Sequence, residues 1–157
     1  GWRGINIDLD PEKISAFNLR RPGDVNIVAA VSDRRETLKV YSDKWFSMRA
    51  TLDPAIGNSS GFIEGSQVET RTLTEIIEST RYRGRRIDLL SVDVEGLDLR
   101  VLNGLDFARY APQVILVESH LATIDEILRS DLHRFLDARS YTLANWVGLT
   151  LFYRLKS

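Results

Sequence analysis

The chain has 157 residues, a formal net charge of −1, 27% charged and 43% hydrophobic residues, and no cysteine. That length and balance predict a single globular domain spanning 1–157 with a substantial core, and they give no electrostatic footprint for nucleic acid or an acidic membrane surface. The missing cysteines exclude disulfides, thiolate catalysis and Cys-based metal sites.

His120 and His133 are the two histidines, too few for a histidine-rich metal centre. No apolar run is long enough to span a bilayer and no signal-peptide pattern opens the sequence, so the cytosol is the expected compartment.

In chain order, Gly4-Ile5-Asn6-Ile7-Asp8 predicts a short strand ending in a carboxylate. Asp10-Pro11-Glu12 predicts a helix start, with an N-cap, a proline at the first helical position and an acid in the first turn. Ile14, Phe17 and Leu19 are expected to face the core from that helix, and Arg20-Arg21-Pro22-Gly23 to end it. Val25 to Val31 predicts the next strand, closing on Ser32-Asp33. Thr37 to Tyr41 alternates as a strand or hairpin arm.

From Asp43 to Gln67 regular patterning fails, and Asp53-Pro54, Gly57-Asn58-Ser59-Ser60-Gly61 and Gly65-Ser66 mark turns. A loop this long in a compact domain reads as a lid or binding loop, with Trp45, Phe46 and Phe62 as residues needing a surface to cover. A disordered insertion is the competing reading. Val68 to Thr72 then predicts an extended lead-in, and Leu73, Ile76 and Ile77 a helix reaching Arg81.

Arg86 to Leu105 is the most informative stretch. Ile87 to Val92 reads as a strand buried on both faces. Asp93 and Glu95 stand at its end, followed by Gly96 and a helical segment whose apolar face is Leu99, Val101, Leu102 and Leu105. Asn103-Gly104 is its stop signal. In open α/β sheets, ligands bind at the carboxyl ends of strands, which is where these acids fall.

Gln113 to Ser119 predicts a second doubly buried strand, leading into Glu118 and His120 at its end. Ile124 to Leu136 predicts one amphipathic helix with Ile127, Leu128, Leu132 and Phe135 inward. Tyr141 to Trp146 and Leu149 to Arg154 predict a hairpin across Val147-Gly148. This alternation implies an α/β fold with a mostly parallel sheet and a C-terminal antiparallel hairpin.

Five segments, in order, resemble the FkbM family of S-adenosylmethionine-dependent methyltransferases. Gly1-Trp2-Arg3-Gly4-Ile5 with Asp8-Leu9-Asp10-Pro11-Glu12 looks like the family's strand ending in an E-P-n-P-E type turn. Ala30-Val31-Ser32-Asp33 looks like its next strand end, and Val68-Glu69-Thr70-Arg71-Thr72-Leu73 like its v-x-T-x-T-L-D lead-in. Ile87 to Gly96 with Val101-Leu102-Asn103-Gly104 resembles its D-L-L-K-I-D-V-E-G…V-L-x-G signature, and Val117-Glu118-Ser119-His120 its E-x-H strand end. Leu9, Thr74 and Ser91 depart from the usual Pro, Asp and Lys.

The resemblance implies a class I methyltransferase-like, Rossmann-like fold, S-adenosylmethionine as cofactor, and O-methylation of a hydroxyl on a small molecule, sugar, glycan or secondary metabolite. It also implies an earlier central strand and a glycine-rich loop of D-x-G-A-N-x-G type. Nothing here matches that loop, so an N-terminally truncated domain lacking its first strand and helix is expected.

On this reading Asp8 accepts hydrogen bonds from the ribose hydroxyls, Asp33 meets the adenine amino group, and Asp93 contacts the cofactor or orients the acceptor. Their bland alternatives are a solvated strand end for Asp8 and turn chemistry for Asp33. Asp10 is better read as a helix cap. Glu95 is either catalytic or a cap of the following helix. His120, two residues from Glu118, is placed to take a proton from an acceptor hydroxyl, or is structural. Asp93, Glu95 and Glu118 are oxygen ligands suited to Mg²⁺, but no metal site is assigned. A non-catalytic remnant that only binds a partner is the competing reading of the whole chain.

Overall fold

A computed structural model describes residues 1–42, 50–52, 58, 63–94 and 96–156. Strand β1 (Ile5–Asp8) leads into helix α1 (Pro11–Arg20). The helix starts where expected: the Asp10 carboxylate accepts the Glu12 N–H at 2.8 Å, and Pro11 needs no partner at the first helical position. Its buried side is narrower than its spacing suggests. Ile14 is buried, but Phe17 is 37% and Leu19 79% exposed.

The strand expected over Val25 to Val31 forms as two pieces, β2 (Val25–Val28) and β3 (Ala30–Val31). Their partners explain the break. β2 lies parallel to β1, with Ile5 opposite Val25, whereas β3 lies parallel to β6 (Ile63–Arg71), with Ala30 opposite Thr70. Ala29 hands the chain from one sheet to the next. β4 (Thr37–Ser42) pairs antiparallel with both β5 (Ala50–Thr51) and β6. Residues 63–67, where sequence patterning fails, therefore belong to a strand. Trp45, Phe46 and Phe62, the residues of the expected lid, lie outside the described residues.

A capping box on Thr72 and Glu75 starts α2 (Leu73–Glu78). Then come β7 (Leu89–Val92), α3 (Asp98–Asn103), β8 (Val114–Glu118), α4 (Ile124–Arg129), α5 (Asp131–Asp137), β9 (Tyr141–Val147) and β10 (Thr150–Leu155). The single helix expected over Ile124 to Leu136 is broken at Ser130. That residue is extended, and its hydroxyl accepts the His133 N–H, so it closes α4 and caps α5. The break resets the helical face: Ile127 and Leu136 are fully buried, while Leu128 is exposed.

The fold is α/β, and the C-terminal hairpin is as expected. The expected mostly parallel sheet does not form: among the described residues there are three separate sheets, and the antiparallel pairs β4·β5, β4·β6, β8·β10 and β9·β10 outnumber the parallel ones. The strand orders are β1-β2, β3-β6-β4-β5 and β7-β8-β10-β9, with parallel pairing at β1·β2, β3·β6 and β7·β8. Among the described residues β1 pairs only with β2, and β7 pairs only with β8. Ile5 and Ile7 of β1 and Leu89 and Leu90 of β7 line one cleft of about 170 Å³, backed by Leu73 and Ile77 of α2. The sheet is thus interrupted between two strand edges that face the same apolar gap. Leu89 is partly exposed in consequence, and β7 is not buried on both faces.

The main core lies between the β7-β8-β10-β9 sheet and the helices on it. Leu102, Ile115, Val117, Ile127, Leu136 and Leu151 are buried there, each side chain contributing roughly 1.5–3 kcal/mol. Among the described residues no helix is long and apolar enough to cross a membrane.

Candidate active site

Two of the sequence-predicted residues meet in one cleft. β1 ends in Asp8, β2 and β3 are joined at Ala29, and β7 runs into Asp93. These strand ends enclose about 190 Å³, lined by Ile7, Asp8, Leu9 and Lys13 on one side, Ala29, Ala30 and Val31 on another, and Asp93, Val94 and Leu97 on the third, with Leu52 closing it. The lining is mostly apolar, with two carboxylates and one ammonium as polar groups, the composition of a ligand cleft. Gly96 turns the chain from β7 towards α3 at φ 96°, a backbone conformation that suits glycine.

Asp8 is held from both sides. Its Oδ1 accepts the Asp10 N–H at 2.9 Å, and Lys13 Nζ stands 3.6 Å from Oδ2. The first contact is an Asx turn that fixes the carboxylate at the mouth of the cleft.

Asp33 follows the same strand end but does not line this cleft. Arg100, on α3, donates to its Oδ1 from Nη2 at 2.7 Å and from Nε at 3.2 Å, and Ser32 Oγ adds a third donor at 3.1 Å. Arg100 Nη2 also donates to Glu36 Oε1. Hydrogen bonding from Arg100 outweighs desolvation and holds the Asp33 carboxyl below its usual range. Arg100, partly desolvated itself, is kept charged by the two acids.

Asp93 is exposed at the cleft. Glu95 lies outside the described residues. Glu118 and His120 are together, with His120 Nε2 3.5 Å from Glu118 Oε2. β7 and β8 run parallel with Val92 opposite Val117, so Asp93 and Glu118 leave the sheet at the same end. His120 is exposed and is not part of the cleft lining. Among the described residues no group of three or more His, Asp or Glu is arranged to hold a metal ion.

The family model for the methyltransferase FkbM domain matches residues 1–143. The chain belongs to the FkbM methyltransferase family. No curated protein and no solved structure matches it.

The structure gives the FkbM signature residues mechanical roles. Thr72 caps α2, and the next threonine, Thr74, donates its hydroxyl to the Gly104 carbonyl at 2.9 Å while accepting the Asp106 N–H at 2.7 Å. An aspartate, the family's usual residue there, accepts the second bond but, when ionised, has no proton for the first. Gly104 lies against the Ser32 carbonyl, so α3 is docked on the exit of β3.

Three residues of this FkbM chain are not singled out by the sequence reading. Lys13 sits in the first turns of α1, beside Asp8. Arg100 is 67 residues from its partner Asp33, and nothing in the sequence links the two. Asp98 had a signal: it lies three, four and seven residues before Val101, Leu102 and Leu105, on the inward face of α3. It is buried, its Oδ1 has no hydrogen-bond partner among the described residues, and desolvation pushes its carboxyl above the usual range, with the Asp93 charge adding to the effect and nearby backbone N–H groups opposing it.

Proposed function

We propose that the cleft at the ends of β1, β3 and β7 holds S-adenosylmethionine and that the chain's chemistry is O-methylation of a hydroxyl on a small molecule, sugar or glycan. The observation that carries this is the convergence of Asp8 and Asp93 on one apolar cleft in an FkbM chain. The layout of strand ends is Rossmann-like on this reading, with the ligand at their carboxyl edge.

The residues present fit the nucleoside end of the cofactor. The Asp8 carboxylate accepts from the ribose hydroxyls, Asp33 from the adenine amino group, and Ile7, Ala30, Val31 and Leu97 give the ring an apolar seat. About 190 Å³ is smaller than the roughly 300–1,000 Å³ of a site enclosing a whole ligand of this size. The sequence has no D-x-G-x-N-type loop to hold the methionine end.

When bound, the cofactor supplies an electrophilic methyl carbon. The chain's own task is placement and proton removal. Asp93 orients the acceptor. On this reading the Glu118 carboxylate, 3.5 Å from Nε2 of His120, favours the tautomer with its hydrogen on that nitrogen, and Nδ1 is the atom that takes the proton of the acceptor hydroxyl.

Calorimetric titration with S-adenosylhomocysteine tests the reading. Saturable binding to the parent chain that is lost in Asp8→Ala supports it. Absence of binding by a chain that circular dichroism shows to be folded favours a second reading, a non-catalytic binding module, to which the interrupted sheet between β1 and β7 also points.

A further inference from the structure

We propose that Arg100 is a positioning residue for purine recognition: by saturating Oδ1 of Asp33 it leaves Oδ2 to accept the exocyclic amino group of an adenine ring. The inference rests on the cofactor reading above and deepens it.

The two oxygens of Asp33 are in different situations. Oδ1 takes two N–H donors from Arg100, at 2.7 and 3.2 Å, and the Ser32 hydroxyl at 3.1 Å. Oδ2 has Arg34 Nη1 at 3.8 Å, beyond hydrogen-bond length. A carboxylate so engaged offers one acceptor and no donor. It pairs with an amino group and repels a carbonyl in the same place.

Arg100 is itself prevented from moving to Oδ2. Its Nη2 is shared with Glu36 Oε1, and Glu36 is fixed in turn by Arg34 Nη2 on Oε2 at 3.3 Å. Behind the pair, Ser32 is fully buried and its N–H donates to the Arg71 carbonyl at 3.0 Å. Gly104 on the C-terminal end of α3 touches the Ser32 carbonyl, so helix and strand exit keep one spacing. The result is a carboxylate of fixed orientation two residues beyond Val31, which lines the cleft, and Arg100 holds that carboxyl below its usual range.

The test compares S-adenosylhomocysteine with its 6-oxo counterpart, S-inosylhomocysteine, by calorimetry. The parent chain is expected to prefer the amino ligand by roughly tenfold to a hundredfold, the range of a hydrogen bond to a charged group. Asp33→Asn, which replaces one acceptor with a donor, is expected to abolish or reverse the preference. Arg100→Gln is expected to reduce it by about tenfold while the 6-oxo ligand keeps its affinity within about twofold. Arg100→Lys, with a single donor atom, is expected to fall between.

A preference that disappears in Asp33→Asn but survives intact in folded Arg100→Gln overturns the role of Arg100 and leaves the cofactor reading standing. If Arg100→Gln does not fold, Arg100→Lys decides, and a parent-like preference there overturns the proposal. Equal binding of both ligands by the parent chain overturns this inference and leaves the cofactor reading standing, whereas no binding of either ligand by a folded chain overturns both.

Discussion

Gly104 and Ser32 are in contact so close that a Cβ on Gly104 would lie 2.4 Å from the Ser32 carbonyl oxygen. The neighbour is backbone and cannot rotate away. The glycine of the V-L-x-G signature is therefore a packing requirement, since its φ of −77° is open to any residue. Through this contact α3, which carries Arg100 and Asp98, is set against the strand exit that carries Asp33.

Gly104→Ala is accordingly expected to destabilise the chain by about 1–3 kcal/mol through overpacking. Urea unfolding followed by circular dichroism measures it. An unchanged midpoint contradicts the close contact.

Thr74 ties the same junction from the other side, with one hydroxyl serving both the Gly104 carbonyl and the Asp106 N–H. Thr74→Val keeps the shape and removes both bonds, with an expected loss of about 1–3 kcal/mol. Thr74→Ser retains the hydroxyl and is expected to stay much closer to the parent. A larger loss in Thr74→Ser than in Thr74→Val would assign the effect to the methyl group instead.

Asp98 makes a pH prediction. Burial raises its folded-state pKa above the ordinary 3.8, so the folded chain holds this proton more tightly than the unfolded chain does. Below that ordinary value both states are protonated and the group costs nothing. As pH rises through it, the unfolded chain ionises first and stability falls, until the raised value is passed. Asp98→Asn removes the ionisation. Its stability relative to the parent is expected to grow from acid towards neutral pH, and a difference independent of pH contradicts the burial argument.

The open edge of β1 is testable by hydrogen exchange. The Gly4 and Asp8 carbonyls accept from the Val25 and Ala29 N–H groups, so alternation turns the Ile5 and Ile7 N–H groups to the other edge. These two amides are expected to exchange at least about a hundredfold faster than those of Asn6 and Asp8, as local opening is not needed. Equal protection would mean that the edge is covered.

Much of this was readable from local chemistry. The Asp10 cap and the Asn103-Gly104 stop are decided within a few residues and form as expected, and the hairpin forms with its turn one residue later than expected, at Gly148-Leu149. Asp8 and Asp93 were placed at strand ends by the hydrophobic runs before them, and the fold brings those ends together. The breaks at Ala29 and Ser130 were not readable as breaks. One follows from a change of strand partner, and the other from a serine that serves as a cap although it also fits a helical period. The pairing of Arg100 with Asp33 depends on α3 docking onto β3, which is a tertiary fact. Asp98 was readable in principle, because an acid on the apolar face of a short helix must be buried.

The central claim is that an adenosyl ligand binds where β1, β3 and β7 end. The most direct measurement is a two-dimensional ¹H–¹⁵N NMR titration of the labelled chain with S-adenosylhomocysteine. The account predicts saturable shifts at residues 7–10, 29–33 and 93–97, with the 85–90 stretch beside the other cleft unmoved. Shifts confined to 85–90 and the Ile5 edge, or none in a folded chain, would contradict it.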